Sequence, residues 1–177
     1  SGKSTLLNTL AGMTQPLAGQ CTLRYQASAD APAQFIKPRE QMMYVFQHPD
    51  SHFFFDTVRE ELTQLGVNDI DGTLAHFGLT GCAEYSPHQL SEGQKRRLTL
   101  LFPIFLQCAL IVLDEPTFGQ DALNAERITQ LIRSFKAAGH ALIVITHDVQ
   151  LQQSIADQIW EIHDGQLSVT PNAEVAA

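Results

Sequence analysis

Four consecutive apolar residues, Leu110-Ile111-Val112-Leu113, run directly into Asp114, Glu115 and Pro116. A short apolar run with that boundary suits a strand buried on both faces of a parallel sheet. Ala141 to Thr146 repeats the pattern and ends at His147. In an open α/β sheet the ligand site lies beyond the strand C-termini. Asp114, Glu115 and His147 are therefore expected to converge at one edge.

The rest of the chain alternates helices with strands around these two. A helical run, Leu6 to Ala11, stops at Gly12; Gly19 to Tyr25 alternates as a half-buried strand does, and Ala27 to Pro38 reads as a loop of small residues and proline. Met42 to Phe46 is a second strand, Asp56 is placed to cap a helix from Thr57 to about Leu65, and Asp71 to Phe77 is a short helix ended by Gly78. Ser91 and Gln94 have capping-box spacing, so a helix is expected from Glu92 to about Gln107, kinked at Pro103. Asp121 caps a helix whose Ile128, Leu131, Ile132 and Phe135 form one apolar face and which Gly139 ends. A helix over Val149 to Ala156 and a hairpin, Ile159 to Ile162 and Gln166 to Val169 around Asp164-Gly165, complete the pattern. The tail from Thr170 is expected to be mobile.

At 177 residues the chain is sized for one well-cored domain, and with 44% hydrophobic and 17% charged residues it is expected to fold. A net charge of −8 argues against a broad surface for nucleic acid or anionic lipid but allows a local phosphate site. Cys21, Cys82 and Cys108 lack the spacing of a disulfide framework or a zinc site, and read as buried thiols in a reducing compartment. The apolar stretch from Leu98 to Leu113 is broken by Thr99, Pro103 and Gln107, so neither a transmembrane helix nor a signal peptide is expected.

The chain opens Ser1-Gly2-Lys3-Ser4-Thr5 before its first helical run. These residues match the second half of G-x-x-x-x-G-K-[ST], in which backbone N–H groups surround phosphates, the lysine neutralises charge and the hydroxyl ligates Mg²⁺. Three residues alone are weak evidence. Further motifs stand in order behind them: Leu90-Ser91-Glu92-Gly93-Gln94 with Arg96-Arg97, then Leu110 to Thr117 with Asp114-Glu115, then Thr146-His147-Asp148, with 23 residues from Ser91 to Asp114. Together they closely resemble the nucleotide-binding domain of ABC ATPases.

That resemblance implies a P-loop NTPase, RecA-like, with a parallel sheet core and a small helical lobe at about 48–107, over a domain of residues 1–170 with a mobile tail at 171–177. It also implies that the N-terminal strands, the adenine-stacking aromatic and the first half of Walker A would lie before Ser1. The chain thus reads as truncated within Walker A, and as given it is expected to bind ATP poorly. The implied nucleotide contacts are Gly2, Lys3, Ser4 and Thr5, with Ser91, Gly93, Gln94 and Asp121 serving the nucleotide of a second subunit. Ser4, Gln47 and Asp114 are the implied Mg²⁺ ligands. Glu115 would orient or deprotonate the attacking water, His147 would bridge to the γ-phosphate, and Gln47 would act as the Q-loop glutamine. Gln120 stands where leucine is usual, Phe102 and Pro103 where arginine and alanine are, and Cys108 where proline is.

Ser91 stands only 44 residues after Gln47, which leaves no room for the coiled coils or zinc modules of DNA-repair relatives. Phe46-Gln47-His48-Pro49-Asp50, Phe53 to Phe55 and Thr57-Val58-Arg59-Glu60-Glu61 look most like the ATPase subunits of energy-coupling-factor and cobalt-type vitamin or metal importers. The implied partners are ATP, a second ATPase subunit and an integral membrane transporter at the cytoplasmic face of the cell membrane. The three phenylalanines read either as core or as a socket for the membrane partner. A non-transport ABC ATPase in an assembly role is the alternative; Glu115 and His147 speak against a domain that binds without hydrolysing.

Overall fold

The computed structural model describes residues 2–25 and 34–172. Its centre is a parallel three-stranded sheet, β3 (Met42–Val45), β4 (Leu110–Asp114) and β5 (Ala141–Ile145), with β4 in the middle. Met42 pairs with Leu110 and Leu110 with Ala141. Successive side chains of a strand point to opposite faces, and here each face has its own helices. Ile111 and Leu113 pack with Val45 against Ile128, Ile132 and Phe135 of α6 (Ala122–Ala137) and Leu151 and Ile155 of α7 (Val149–Ile155). Leu110 and Val112 pack on the other side against Leu7 and Leu10 of α1 (Lys3–Leu10). An apolar strand without alternation is the consequence of burial on both faces.

Two antiparallel pairs flank the sheet. β1 (Leu23–Tyr25) pairs with β2 (Gln34–Ile36), so part of the expected loop from Ala27 to Pro38 is a strand; residues 27–33 lie outside the described residues. The strand expected from Gly19 begins only at Leu23. β6 (Gln158–His163) pairs with β7 (Gln166–Pro171) across Asp164 and Gly165, both at positive φ as a tight two-residue hairpin turn requires. This pairing corrects the expected mobile tail from Thr170. Thr170 and Pro171 are in register with Ile159 and Gln158, and buried Asn172 donates from its backbone N–H to the Asp157 carbonyl. Residues 173–177 lie outside the described residues.

Between β3 and β4 the chain builds α2 (Val58–Gln64), α3 (Ile70–His76), α4 (Glu92–Thr99) and α5 (Phe102–Phe105). Their shared cluster includes Phe53, Val58, Leu62, Leu74, Leu79, Leu98, Leu101 and Phe102. The N-cap of α2 is Thr57 rather than the expected Asp56. Thr57 Oγ1 accepts from the Glu60 N–H while the Glu60 carboxylate accepts from the Thr57 N–H, and this reciprocal box outcompetes a cap one residue earlier.

Ser91 and Gln94 form the expected capping box. The helix they start ends at Thr99, not near Gln107. The Leu101 N–H turns to the Leu98 carbonyl, and Pro103 enters the first turn of a new helix. There a missing N–H breaks no ladder bond, whereas inside one long helix it would cost about 3 kcal/mol. Among the described residues no helix is long and apolar enough to cross a membrane.

Candidate functional site

The C-terminal ends of β4 and β5 bring Asp114, Glu115 and His147 to one edge. Asp114 is the last residue of β4, and the Glu115 N–H extends the sheet pairing by donating to the Ile145 carbonyl at 2.8 Å. Glu115 itself is in the left-handed region at φ 47°, which costs a non-glycine residue on the order of 1 kcal/mol and turns the chain sharply off the strand. His147 follows β5: its N–H donates to Glu115 Oε2 at 3.4 Å, and its Nε2 stands 3.7 Å from Oε1. The Glu115 side chain is 15% exposed and that of His147 84%. A sheltered carboxylate thus faces solvent through an accessible imidazole.

Asp114 is held by a residue that pattern reading passed over. Tyr44, on the neighbouring β3, donates its hydroxyl to Asp114 Oδ2 at 3.1 Å. Burial, followed by the charge of Asp114, pushes Tyr44 up to about 12, so its proton stays in place to donate. Oδ1 is left as an oxygen donor. Among the described residues no three His, Cys, Asp or Glu side chains gather as a self-sufficient metal site. One carboxylate oxygen supplemented by ligand oxygens suits Mg²⁺, which is commonly held by one or two carboxylates plus substrate phosphates.

At the start of α1, Gly2 adopts φ 76°, a conformation that favours glycine, and forms the N-cap without a side-chain bond. The first N–H groups of the helix have no intrahelical acceptor and are available to an anion. Lys3 and His147 line one cleft with Ile145 and Thr146, and among the described residues Lys3 has no ion-pair partner. The Ser4 side chain lies outside the described residues. Thr5 is exposed, and its carbonyl accepts from the Thr9 hydroxyl.

A second group of expected site residues gathers at the start of α4. Ser91 Oγ accepts from the Gln94 N–H at 3.3 Å, and Gln94 Oε1 accepts from the Ser91 N–H at 2.9 Å. The other end of the Gln94 amide reaches Cys82 Sγ at 3.7 Å, so this amide is engaged at both ends within its own chain. The N–H groups of Glu92 and Gly93 remain unpaired by this box. A Cβ on Gly93 would come within 2.9 Å of Gln120 Oε1 and 3.4 Å of Asn124 Nδ2, so a larger residue there would have to displace the Gln120 side chain. Asp121 caps α6 through the Asn124 N–H at 2.8 Å, chiefly for which its carboxyl is held below the usual range. Asn124 Oδ1 in turn accepts from Arg97. The unusual Gln120 therefore lies over Gly93 of the same chain.

Gln47 follows β3, and its backbone is held from α4: Arg96 donates to the Phe46 and Gln47 carbonyls. His52 Nε2 accepts the Phe46 N–H at 3.1 Å, and its ring stacks on Phe46, which stacks on Tyr44. Sequence reasoning passed over Tyr44 and His52, and named Arg96 only as part of a motif without giving it a role. One signal was available: Arg96 and Arg97 directly precede the largely apolar stretch Leu98 to Phe102, where charges must be buried and paired.

The three phenylalanines divide between the two readings. Phe53 is core, packed edge-on against Phe102 and His88. Phe54 is 82% exposed and Phe55 39%. Both are pinned by buried Glu61, whose Oε1 accepts the Phe54 and Phe55 N–H groups.

The ABC transporter family matches residues 1–118. A putative HMP/thiamine import ATP-binding protein of Bacillus subtilis is 39% identical over 173 residues, covering 93% of this chain and 31% of that protein. An energy-coupling factor transporter ATP-binding protein of Methanocaldococcus jannaschii is 31% identical over 177 residues, covering 94% of this chain and 63% of its own length. The chain thus spans 31% and 63% of the length of these curated relatives. Among solved structures, a part of the ABC transporter complex cbiONQ of Clostridium perfringens matches with TM-score 0.72 and 26% identity, over 99% of this chain and 74% of that one.

Proposed function

This chain belongs to the ABC transporter family, and from that premise we propose that it is the ATP-binding and ATP-hydrolysing subunit of an importer of the vitamin or metal type. The observation that carries the reading is the sheltered Glu115, turned off β4 in a left-handed conformation and set beside Asp114 and the exposed His147. An outlier backbone at a carboxylate on the C-terminal edge of a parallel sheet marks a group whose direction matters.

Bound MgATP would supply the phosphoryl group and the metal charge that spreads over its oxygens. Lys3 and the first N–H groups of α1 bind phosphate oxygens, with Gly2 and Thr5 beside them. Asp114, with Ser4 and Gln47, would hold the metal, and Tyr44 keeps the Asp114 carboxylate turned. Glu115 accepts the proton of the attacking water or orients it, and His147 bridges between that carboxylate and the γ-phosphate.

Ser91 and Gly93 form an anion site at the α4 N-terminus, and because the Ser91 oxygen already accepts from Gln94, its O–H is left to donate. In this reading that site, with Gln94 and Asp121 beside it, serves the nucleotide of a second ATPase subunit, so two chains close over two nucleotides. The relatives named as transporter ATP-binding proteins support the transport role, and the one named as an HMP/thiamine import protein supports the importer subtype. A peripheral position on the cytoplasmic face of the cell membrane follows, with residues 48–107 as a helical lobe and Phe54 and Phe55 toward an integral membrane partner.

The test is Glu115→Gln in the full-length polypeptide that carries this sequence. Wild type is expected to hydrolyse ATP with Mg²⁺. The variant should lose about a hundredfold or more in kcat while keeping ATP affinity within about threefold, and should sediment as a dimer only with ATP. Unchanged turnover in Glu115→Gln rejects the role given to this carboxylate; a monomer that still hydrolyses normally rejects the shared site.

A further inference from the structure

We propose that Arg96 is the positioning residue for Gln47, gripping both peptide groups that flank the Gln47 Cα so that the direction of the Gln47 side chain follows helix α4. The inference rests on the reading above that Gln47 reaches the metal and the water.

Arg96 is 3% exposed, and its guanidinium donates through Nη1 to the Phe46 carbonyl at 2.8 Å and through Nη2 to the Gln47 carbonyl at 2.5 Å. The Phe46 carbonyl belongs to the planar peptide group that carries the Gln47 nitrogen. The Gln47 carbonyl belongs to the one that follows. Peptide groups are rigid planes hinged only at Cα, so fixing both planes fixes φ and ψ of Gln47 and hence the direction in which its Cβ leaves the chain. Bidentate recognition of this kind needs the planar fork of arginine. The side-chain amide of Gln47 has no hydrogen-bond partner among the described residues, so the hold on this residue is on its backbone and on the direction in which Cβ leaves it.

Two neighbours extend the grip. Phe46 N–H is taken by His52 Nε2, and Lys95 Nζ reaches Asp50 Oδ1 at 2.8 Å, so the turn from Phe46 to His52 is fastened to α4 at several points. On the opposite side Arg97 bonds Asn124, beside the Asp121 cap of α6. The helix that begins at Ser91 therefore ties the Gln47 turn to the Asp121 turn, and a rotation of α4 would re-aim Gln47.

A purely space-filling role does not account for arginine at this position. The guanidinium is buried, and among the described residues no carboxylate touches it and its Nε has no hydrogen-bond partner. An apolar side chain would fill the volume without that desolvation cost. What arginine alone supplies is the two-carbonyl grip.

The experiment uses the full-length polypeptide, with Arg96→Met, Arg96→Lys, Gln47→Ala and the double variant Arg96→Met with Gln47→Ala, and Arg133→Met on the surface as control. Amide hydrogen exchange reads the turn directly. In Arg96→Met, exchange over residues 46–52 should quicken about tenfold or more while the β4 amides stay unchanged. MgATP turnover reads the consequence: kcat should fall about tenfold or more with KM within about threefold, since a small misaim of a catalytic group costs rate before affinity. Arg96→Lys, reaching one carbonyl at a time, should be intermediate, and the double variant should be no slower than Gln47→Ala alone. Multiplying losses in the double variant, or unchanged exchange over 46–52, overturns the proposal; if Arg96→Met does not fold, Arg96→Lys carries the same cycle. Wild type without ATP turnover would instead overturn the proposed function, and the exchange measurement would still decide the grip.

Discussion

His52 should make the protein lose stability in mild acid by an amount that one substitution removes. The residue is 8% exposed, and its Nε2 accepts the Phe46 N–H, a bond that only the bare nitrogen of a neutral ring can make. Burial, followed by the Arg96 guanidinium, pushes His52 from 6.5 down to about 4. The folded pKa is depressed, so above 6.5 the folded and unfolded chains both hold the ring neutral and its contribution is intact. Between 6.5 and 4 the unfolded chain takes up a proton that the folded chain refuses, and stability falls with pH. Below 4 both are protonated and the loss levels off. Linkage puts the loss from this residue at about 2 kcal/mol between pH 7 and 5, and at about 3 kcal/mol on reaching pH 4. Other groups titrate in the same range, whereas Asp50, whose carboxyl the Lys95 ammonium holds low, does so below it. The comparison must therefore be a difference. Urea unfolding of wild type and His52→Gln, which retains an acceptor for Phe46 but no titrating proton, should diverge at pH 7 and converge by about 2 kcal/mol as pH falls to 5. A difference constant within about 0.5 kcal/mol over that interval, or a His52 ring resonance titrating near 6.5, would refute the reasoning.

The phenylalanine segment yields a paired prediction. Phe53→Ser should destabilise by about 3 kcal/mol or more because it empties a core position, whereas exposed Phe54→Ser should change stability by less than about 0.5 kcal/mol. If Phe54 faces a membrane partner, that folded variant should lose co-purification with it; retention of the partner would remove Phe54 from the interface. Glu61→Ala takes the shared acceptor from the Phe54 and Phe55 N–H groups and should cost about 2–4 kcal/mol in urea unfolding. A cost under about 0.5 kcal/mol would mean that water replaces the carboxylate without penalty.

Much of the fold was legible because its signals are local. The apolar run at Leu110–Leu113 announced a strand buried on both faces, Ser91 with Gln94 announced a helix start, and Asp164-Gly165 announced a hairpin; each depends on residues a few positions apart. The convergence of Asp114, Glu115 and His147 was legible too, since strands that run parallel must end at the same edge. Element ends were less so. Whether Pro103 kinks one helix or opens another depends on whether neighbouring turns can rearrange, and whether Thr170 and Pro171 are ordered depends on a partner strand at Gln158 and Ile159. Only the tertiary structure decided how the site residues are held. Tyr44 lies 70 residues from Asp114, and Arg96 lies 50 and 49 from the carbonyls it grips. A hydrogen bond to a backbone carbonyl leaves no mark in a side-chain pattern, because every residue offers that carbonyl. The identity of the chemical groups was therefore written in the sequence, while their aim came from distant residues brought together by packing.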